Sequence, residues 1–232
     1  MSAATVWDCA DMASREKALS GAVAAMRRGG LVVLPTENCY VVATDAFSVK
    51  GTSLLRRAKL QPPNAPLGLL VASPETVSGV AARIPPTAQA LMRTFWPGLL
   101  TLLLRPQATL AWDHPPHAPV AVRMPLHPVA LAVCRRLGPI AASAAALSGA
   151  PAPTTVSEAL DSLGDDVAGA LDVGPLGLQS WSDTEDHTQA STVVDVRTRP
   201  ATIVREGAIS AQRVEEVIAG LAGDTVAVEQ AE

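Results

Sequence analysis

Two cationic side chains occupy positions where the surrounding sequence makes an unpaired charge unfavourable. Arg123 lies within the apolar run 120–124, and burial of a charge without a partner is strongly destabilising. A planar guanidinium can hold a carboxylate or a phosphate through two hydrogen bonds. Lys59 lies at the end of a helical pattern and ahead of a proline-rich turn, and its ammonium group can bind phosphate as a point charge. Together these residues predict a site for an anion.

Each of these cations also has a structural explanation that involves no ligand. Arg123 could form an internal ion pair, with Asp45 or Glu37 as its partner. Lys59 lies near the C-terminus of a predicted helix, where the helix dipole favours a positive charge in any case. Residue type alone does not separate these explanations from ligand binding, so both stay open.

Two polar residues follow the first predicted strand and add hydrogen-bonding groups to the candidate site. Thr36 and Tyr40 come shortly after the apolar run 31–34. Open α/β sheets place their ligands in the crevice outside the strand ends. The alternative is that Pro35 and Thr36 form only a turn.

Helical and extended patterns alternate along the chain and supply the elements that position these residues. Apolar residues recur at helical spacing over residues 19–26, and Gly29 ends that helix. A capping box occupies residues 155–158, and His127 and Ser210 are expected to cap two other helices. The predicted strands are 31–34, 67–71, 120–124, 193–196 and 202–204, and a further helix covers Val49–Ala58. This alternation indicates one α/β domain with a mostly covered sheet, over residues 1–222, followed by a frayed tail at 223–232.

The charge distribution is uneven along the chain. The net charge of the 232 residues is −4, which argues against a dedicated nucleic-acid-binding protein. Residues 1–136 nevertheless carry 14 Lys and Arg against 7 Asp and Glu, whereas residues 137–232 carry 4 against 15. The first part could therefore build a basic cavity, or the acidic second part could serve only solubility.

The same inspection disfavours several other kinds of site. Three cysteines lack CxxC spacing, so neither a disulfide framework nor a zinc site is expected, and a reducing cytoplasm fits best. The apolar runs are shorter than the ~20 residues of a membrane span, and the polar N-terminus does not resemble a signal peptide. No metal site is predicted from the four histidines, because they lie without ligand spacing at His114, His117, His127 and His187.

Five sequence blocks occur in a fixed order. They are Leu31–Tyr40, Lys59 with its proline-rich turn, Phe95–Thr101, Val120–Pro125 and Ser191–Asp195. In this order they resemble the blocks of the YrdC/TsaC-type threonylcarbamoyl-AMP synthases, over about residues 18–218. The runs Trp-Pro-Gly-Leu-Leu-Thr and Val-Ala-Val-Arg-Met-Pro are the most specific matches, and a position for a Ser-Ala-Asn loop follows them.

The resemblance implies a fold and an activity. The expected fold is a single YrdC-like α/β domain, in which a twisted sheet of parallel and antiparallel strands and its helices surround a concave, positively charged cavity. Members of the family condense L-threonine, bicarbonate and ATP, with Mg²⁺ accompanying ATP, into threonylcarbamoyl-AMP and pyrophosphate. The product feeds a modification of tRNA, and family members have been associated with RNA binding.

The resemblance also implies roles for individual residues. Lys59 and Arg123 match the catalytic cations, and Arg123 is expected to hold the threonine carboxylate. Arg205 could contact ATP, or it could be a rim residue paired with Glu206. The Phe95–Gly98 segment is predicted to be structural, and Thr192 and Asp195 to be hydrogen-bonding residues at a strand end. The expected substrate contacts are Thr36, Tyr40, Arg123 and Ser191, and the expected nucleotide contacts are Lys59, Gln61, Ser143, Ser148 and Arg205.

The chain departs from the family pattern at several polar positions. Gln61 replaces an arginine, residues 144–146 are all alanine in place of Ser-Ala-Asn, Ala152 replaces a serine and Val41 replaces a glycine. Each lost hydrogen bond to a charged group costs about 1.5–3 kcal/mol. Three hypotheses follow: an active synthase, a relative that binds nucleotide or double-stranded RNA or tRNA without turnover, and an enzyme with a different carbamoyl acceptor.

Overall fold

The computed structural model describes residues 4–9, 11–177 and 190–229 and contains one ten-stranded sheet with six helices. The strands are β1 (Thr5–Asp8), β2 (Leu31–Pro35), β3 (Tyr40–Asp45), β4 (Gly68–Leu70), β5 (Leu100–Leu104), β6 (Val120–Arg123), β7 (Ile140–Ala144), β8 (Val167–Asp172), β9 (Thr192–Asp195) and β10 (Thr202–Arg205). The helices are α1 (Met12–Arg27), α2 (Val49–Ala58), α3 (Pro86–Phe95), α4 (Pro128–Leu137), α5 (Val156–Leu163) and α6 (Ala211–Glu229).

The sheet mixes parallel and antiparallel pairs in the order β1-β8-β2-β3-β7-β4-β6-β5-β9-β10. Parallel pairs are β1 with β8, β2 with β8, β4 with β6, and β5 with β9. The other neighbours run antiparallel, including β3 with β7 and β5 with β6. The expected mixed sheet is therefore confirmed.

The two faces of the sheet are covered unequally. Helices α1 and α4 pack on one face over the half that holds β2, β3 and β8. Helices α2, α3, α5 and α6 contribute to the larger core on the other face. In β5, β6 and β9, buried residues alternate with half-buried ones, so one face of these strands is closed by the larger core and the other is open.

The sequence predicted most of these elements correctly. Gly29 has a φ of +76° after α1, the capping box of α5 is present, and His127 Nδ1 accepts a hydrogen bond from the amide of Val129. Ser210 Oγ accepts from the amide of Arg213, 3.4 Å away, at the start of α6. The Ser-Ala-Asn loop position at 144–146 begins within a strand, because residues 140–144 form β7 between β3 and β4.

The structure describes the chain beyond the predicted end of the domain. Helix α6 continues to Glu229, and the boundary at residue 222 with a frayed tail after it stays a prediction. The sequence of 174–190 is acidic and rich in turn residues and indicates a surface loop; the structure describes it only at 174–177 and 190, and residues 178–189, which include His187, lie outside the described residues. Residues 230–232 also lie outside them.

A buried arginine joins α2 to the segment that precedes β6. Arg56 is 2% exposed, and its Nε donates to the carbonyl of Ala65. Its two Nη atoms contact the carboxylate and the backbone carbonyl of Asp113, and Thr52 Oγ1 donates to the same carboxylate over 2.9 Å. This cluster fixes the C-terminal part of α2, and hence the residues that follow it.

Tyr40 joins β3 to the residues that follow β8. Its side chain is fully buried, and its hydroxyl donates to the carbonyl of Gly174 over 2.7 Å and accepts from the amide of Val173 over 3.1 Å. Asp172 Oδ1 lies 3.4 Å from the same hydroxyl. Burial, the largest effect, raises the pKa of Tyr40. The sequence predicted a substrate contact here, but these contacts favour a structural role.

Replacement of Arg56 by alanine should destabilise the protein strongly. The change leaves the Asp113 carboxylate without its ion-pair partner, and breaking a buried pair from one side costs about 3 kcal/mol or more. The adjacent Arg57 provides the control, since it is 71% exposed and pairs with Asp166, so Arg57→Ala should cost less than about 1 kcal/mol. Urea denaturation measures both values. Equal losses for the two variants would contradict the assigned role of Arg56.

The Tyr40→Phe variant should lose stability and part of its alkaline pH dependence. Loss of the hydroxyl leaves a buried carbonyl and amide unpaired, at a cost of about 1–3 kcal/mol. The raised pKa means that native Tyr40 keeps its proton while the unfolded side chain releases it near pH 10, so wild-type stability should fall above that pH. Tyr40 is the chain's single tyrosine. Denaturation between pH 8 and 11 should therefore show a shallower decline for the variant, and parallel curves would refute this prediction.

Candidate functional site

The open face of β5, β6 and β9 carries the first candidate residues. Leu102 pairs with Val122 in the antiparallel ladder of β5 and β6, so the next opposed positions are Thr101 and Arg123. Opposed residues share one face of a sheet, and both side chains are half-buried. This placement brings a hydroxyl and a guanidinium together on the uncovered face.

Arg123 contacts the turn between β2 and β3 through Glu37. Its Nη2 lies 2.7 Å from Glu37 Oε1, and the two side chains are 11% and 4% exposed. The contact lacks the direction of a hydrogen bond, and neither Nε nor Nη2 has an acceptor among the described residues. Glu37 Oε2 accepts from the amide of Leu126 over 3.2 Å. Of the two ion-pair partners considered from the sequence, Glu37 is confirmed.

The unsatisfied edge of Arg123 is suited to a planar anion. Nε–H and one Nη–H point in parallel from the same side of a guanidinium, and a carboxylate can accept both. A buried charge whose donors are not saturated is costly, and unsatisfied buried polar atoms of this kind are rare in folded proteins. Glu37 Oε1 lies at Nη2 of this same edge, so a bound carboxylate would share Nη2 with Glu37 and take Nε–H as its free donor.

Lys59 follows α2 and contacts residues 144–146, which are all alanine and which we call the alanine loop. Its side chain is 4% exposed, and its Nζ donates to the carbonyl of Ala144 over 2.8 Å and also to the carbonyl of Ala146. An ammonium group has three N–H donors, so one has no acceptor among the described residues. Burial lowers the pKa of Lys59. Lys59 therefore lies at the C-terminus of α2, as predicted, but is buried there.

The thiol of Cys39 lies near both cations. Burial raises the pKa of Cys39, and the positive charge of Arg123 is the largest effect in the opposite direction. Lys59 acts on the same thiol in the same direction, and Cys39 in turn opposes the lowering of the Lys59 pKa. Lys59 contacts the carbonyl of Ala144, which lies opposite Val41, and Arg123 contacts Glu37, so the two cations reach residues on either side of Cys39.

Thr36 lies in the turn that closes this neighbourhood. It is fully buried, and its hydroxyl is 2.7 Å from the carbonyl of Cys39 and 3.1 Å from Asn38 Oδ1. A hydroxyl has one hydrogen to donate but two lone pairs to accept with. Thr36 therefore serves the turn and still has acceptor capacity, so the turn and the substrate-contact interpretations are compatible.

Ser191, Thr101 and Arg205 form a second group on the same side of β5 and β9. Ser191 Oγ lies 2.8 Å from Thr101 Oγ1. Arg205 donates through Nε and Nη2 to the carbonyl of Ser191, over 3.1 and 2.8 Å, and its Nη2 also reaches Ser191 Oγ over 3.2 Å. The suggested pair between Arg205 and Glu206 was wrong, because Glu206 Oε1 accepts from the amide of Ala211.

The backbone around Ser191 is packed tightly. Thr192 Oγ1 donates to the carbonyl of Ile209 and accepts from the amides of Gly207 and Ile209, which confirms its role as a strand-end hydrogen-bonding residue. A Cβ at Gly207 would lie 2.1 Å from the carbonyl of Ala190. Glycine is required at this position because the two backbone segments approach so closely.

The remaining residues that the sequence predicted to contact the nucleotide lie in different parts of the structure. Ser143 lies within β7, opposite Val42, and Ser148 lies in an exposed turn whose next residue, Gly149, has a φ of +87°. Gln61 lines a groove along the outer side of α2, together with Arg56 and Arg57. The structure therefore gathers Arg123, Lys59 and Thr36 but places Gln61 along a separate groove.

Other sequence predictions concern the surroundings of the site. Trp96 Nε1 donates to the carbonyl of Leu100 over 2.8 Å and its side chain belongs to the larger core, which confirms that this segment is structural. Asp195 is paired with Arg197. Among the described residues, no group of three or more His, Cys, Asp or Glu side chains could hold a metal ion. No helix in the described part of the chain has the length and apolar composition to cross a membrane.

Two residues of the site had no assigned function from the sequence. Glu37 was considered only as an ion-pair partner, although it also fixes the amide of Leu126. Thr101 ends the Trp-Pro-Gly block and contacts Ser191. A half-buried threonine in an otherwise apolar strand, Leu100–Leu104, was the available signal for Thr101.

Known proteins resemble the chain over most of its length. A sequence model of the Sua5/YciO/YrdC family, described as "Telomere recombination", matches residues 24–207. A protein of Mycobacterium tuberculosis strain H37Rv, provisionally named threonylcarbamoyl-AMP synthase, is 38% identical over 91% of this chain and 94% of its own length. The Bacillus subtilis threonylcarbamoyl-AMP synthase is 32% identical over 90% of this chain and 58% of its own length.

Solved structures agree with these matches. The crystal structure of P. abyssi Sua5 complexed with L-threonine has a TM-score of 0.81 and 29% identity, and the match covers 92% of this chain and 60% of that one. E. coli YciO shares the fold, with a TM-score of 0.73 and 21% identity over 92% of this chain and 99% of its own. The resemblance drawn from the sequence blocks is thus confirmed: the chain belongs to the Sua5/YciO/YrdC family.

Proposed function

We propose that the protein is a threonylcarbamoyl-AMP synthase. The observation that carries the proposal is the buried guanidinium of Arg123, whose Nε has no acceptor among the described residues and whose Nη2 is ion-paired with Glu37. Relatives with this name align with nine-tenths of the chain. The similarity to a structure solved with L-threonine supports an amino-acid carboxylate as the anion that this edge binds.

The proposed reaction has two bond-forming steps. The threonine amine attacks the carbon of bicarbonate, which becomes a carbamate with loss of water. A carbamate oxygen then attacks the α-phosphorus of ATP, the bond between that phosphorus and the oxygen bridging to the β-phosphate breaks, and pyrophosphate leaves. Every participant is anionic, so catalysis depends mainly on positioning and on stabilisation of negative charge.

The turn between β2 and β3 and the open sheet face would bind threonine. Arg123 would hold the carboxylate at its unsatisfied edge, next to the hydroxyl of Thr36. Ser191 would contact the substrate from β9, positioned by Thr101 and Arg205. The hydroxyl of Tyr40 is already used by Val173 and Gly174, so a role for Tyr40 would be to position the end of β3.

Lys59 and the residues around the alanine loop would bind the phosphates of ATP. Lys59 retains one N–H beyond those donated to Ala144 and Ala146. The backbone amides near Ser148 could supply neutral donors to a phosphate, since that capacity does not depend on side chains. Contacts from Arg205, Gln61 and Ser143 to the nucleotide stay predictions, and Mg²⁺ would enter with ATP as part of the substrate.

The product would serve tRNA modification. Threonylcarbamoyl-AMP is a mixed anhydride, so a later enzyme can transfer its threonylcarbamoyl group to a nucleoside of tRNA, with AMP as the leaving group. Direct contact of this chain with tRNA and a cytoplasmic location stay predictions from the sequence.

A second candidate function is nucleotide binding without turnover. The alanines at 144–146 lack the hydroxyl and amide of the family pattern, and two of the three N–H donors of Lys59 are engaged by this loop. Such a protein would bind ATP, detected by calorimetry, yet release no pyrophosphate. Binding of a double-stranded RNA would be separate and would weaken steeply with added salt.

The wild-type protein should release pyrophosphate only when threonine, bicarbonate and ATP are all present. Arg123→Gln should lower kcat/KM for threonine by about 100-fold, because it removes a charged, two-point contact to the carboxylate. Arg93→Gln is the matched control, since Arg93 is exposed and lies on α3, and it should change the value less than twofold. Coupled phosphate detection after pyrophosphatase digestion measures all three proteins.

Two results would contradict the proposal. One is the absence of pyrophosphate from folded wild-type protein when a B. subtilis control enzyme is active in the same assay. The other is equal kcat/KM values for wild type and Arg123→Gln. ATP binding without release would instead support the second candidate function.

A further inference from the structure

A cavity lined by four arginines lies away from the threonine and ATP sites proposed above. Its volume is about 290 Å³, and Arg83, Arg105, Arg197 and Arg199 line it. Arg105 follows the C-terminal end of β5 and Arg197 follows that of β9. Thr101 and Ser191 belong to the opposite ends of these strands, about 15 Å away at ~3.3 Å per residue. We call the cavity lined by these four residues the arginine cavity.

The four arginines come from three segments of the chain, and backbone hydrogen bonds join the two that hold Arg83 and Arg105. The amide of Ala82 donates to the carbonyl of Arg105 over 3.0 Å, and the amide of Gln107 donates to the carbonyl of Val80 over 2.9 Å. These bonds fix Arg83 next to the end of β5. The buried side chains of Leu104 and Val196 also line the cavity, so its base is apolar and its rim is cationic.

The positive charge of the arginine cavity is largely uncompensated. Arg197 is paired with Asp195, through Nη2 to Oδ2 at 2.6 Å and Nε to Oδ1 at 2.9 Å. Within the described residues, Arg83, Arg105 and Arg199 have no ion-pair partner. Three like charges around one concavity repel each other, and a bound anion would remove that repulsion.

We propose that the arginine cavity is a second anion site, which binds a compact polyphosphate. Small-molecule sites have volumes of roughly 300–1,000 Å³, and the volume of the arginine cavity lies at the lower end of this range, which favours a small ligand. Three guanidinium groups without an ion-pair partner match a ligand with three or more negative charges. Arginine is suited to phosphate because its planar fork donates two hydrogen bonds to one group. The convergence of charges on a concavity, in a chain of net charge −4, favours a compact anion over an extended nucleic-acid backbone.

Calorimetry and NMR with inorganic tripolyphosphate test the proposal. The wild-type protein should bind it, with ¹⁵N–¹H shift changes at the amides of Ala82, Arg105 and Val196. Arg83→Ala/Arg105→Ala should weaken this binding about tenfold or more and abolish those shift changes. Arg93→Ala/Arg135→Ala removes the same charge from exposed positions outside the cavity and should change the affinity less than twofold.

Further arms separate the arginine cavity from the proposed reaction site. Arg123→Gln should keep the shift changes at Ala82 and Val196, so this site can stand even if the proposed function fails. Arg83→Lys/Arg105→Lys retains the charge and should bind more tightly than the double alanine variant. Shift changes confined to Lys59 and Ser148, or no binding at all, would overturn the proposal. So would a double alanine variant that loses affinity for an RNA duplex but not for tripolyphosphate.

Discussion

The long-range contact between Glu37 and Arg123 is the interaction on which the candidate site depends. By register, the start of β3 and the end of β6 lie at opposite ends of the sheet, three strands apart. Neighbouring strands rotate by about 20–25°, which makes a sheet saddle-shaped and raises diagonally opposite corners on the same face. Glu37 reaches Arg123 across this diagonal, with 2.7 Å between their charged atoms.

The cations brought together by this twist are restrained without being saturated. Arg123 is held by one carboxylate on part of its guanidinium, and Lys59 is held by two backbone carbonyls. If every N–H of the two cations had a partner within the protein, both charges would be stabilised but no donor would be left for a ligand. If the two side chains were fully exposed to solvent, they would lose the strength that a low dielectric gives to an ion pair. Partial satisfaction fixes the position of each cation and preserves its capacity to bind an anion.

The sequence predicted elements with strong local signals, and it was less successful where the partner was distant. β2 is an apolar run, and α5 has a capping box. β7 is built from Ile140 and small residues, which have weak strand propensity, so its sequence resembled a loop. The choice between Asp45 and Glu37 as the partner of Arg123 required the twist and register of strands far apart in the chain. No local pattern encodes that information.

The alanines at 144–146 illustrate how a family site can lose side chains and keep its geometry. Lys59 is positioned by carbonyl oxygens of Ala144 and Ala146, and the amide of Ala145 donates to the carbonyl of Tyr40 over 3.0 Å. Backbone groups are present whatever the side chain, so loss of a serine or an asparagine here need not move the lysine. The substitutions would act on direct contacts to the nucleotide, while the pairing of β3 with β7 maintains the cation. The side chains that contact the ligand can therefore change without a change in the backbone groups that position Lys59.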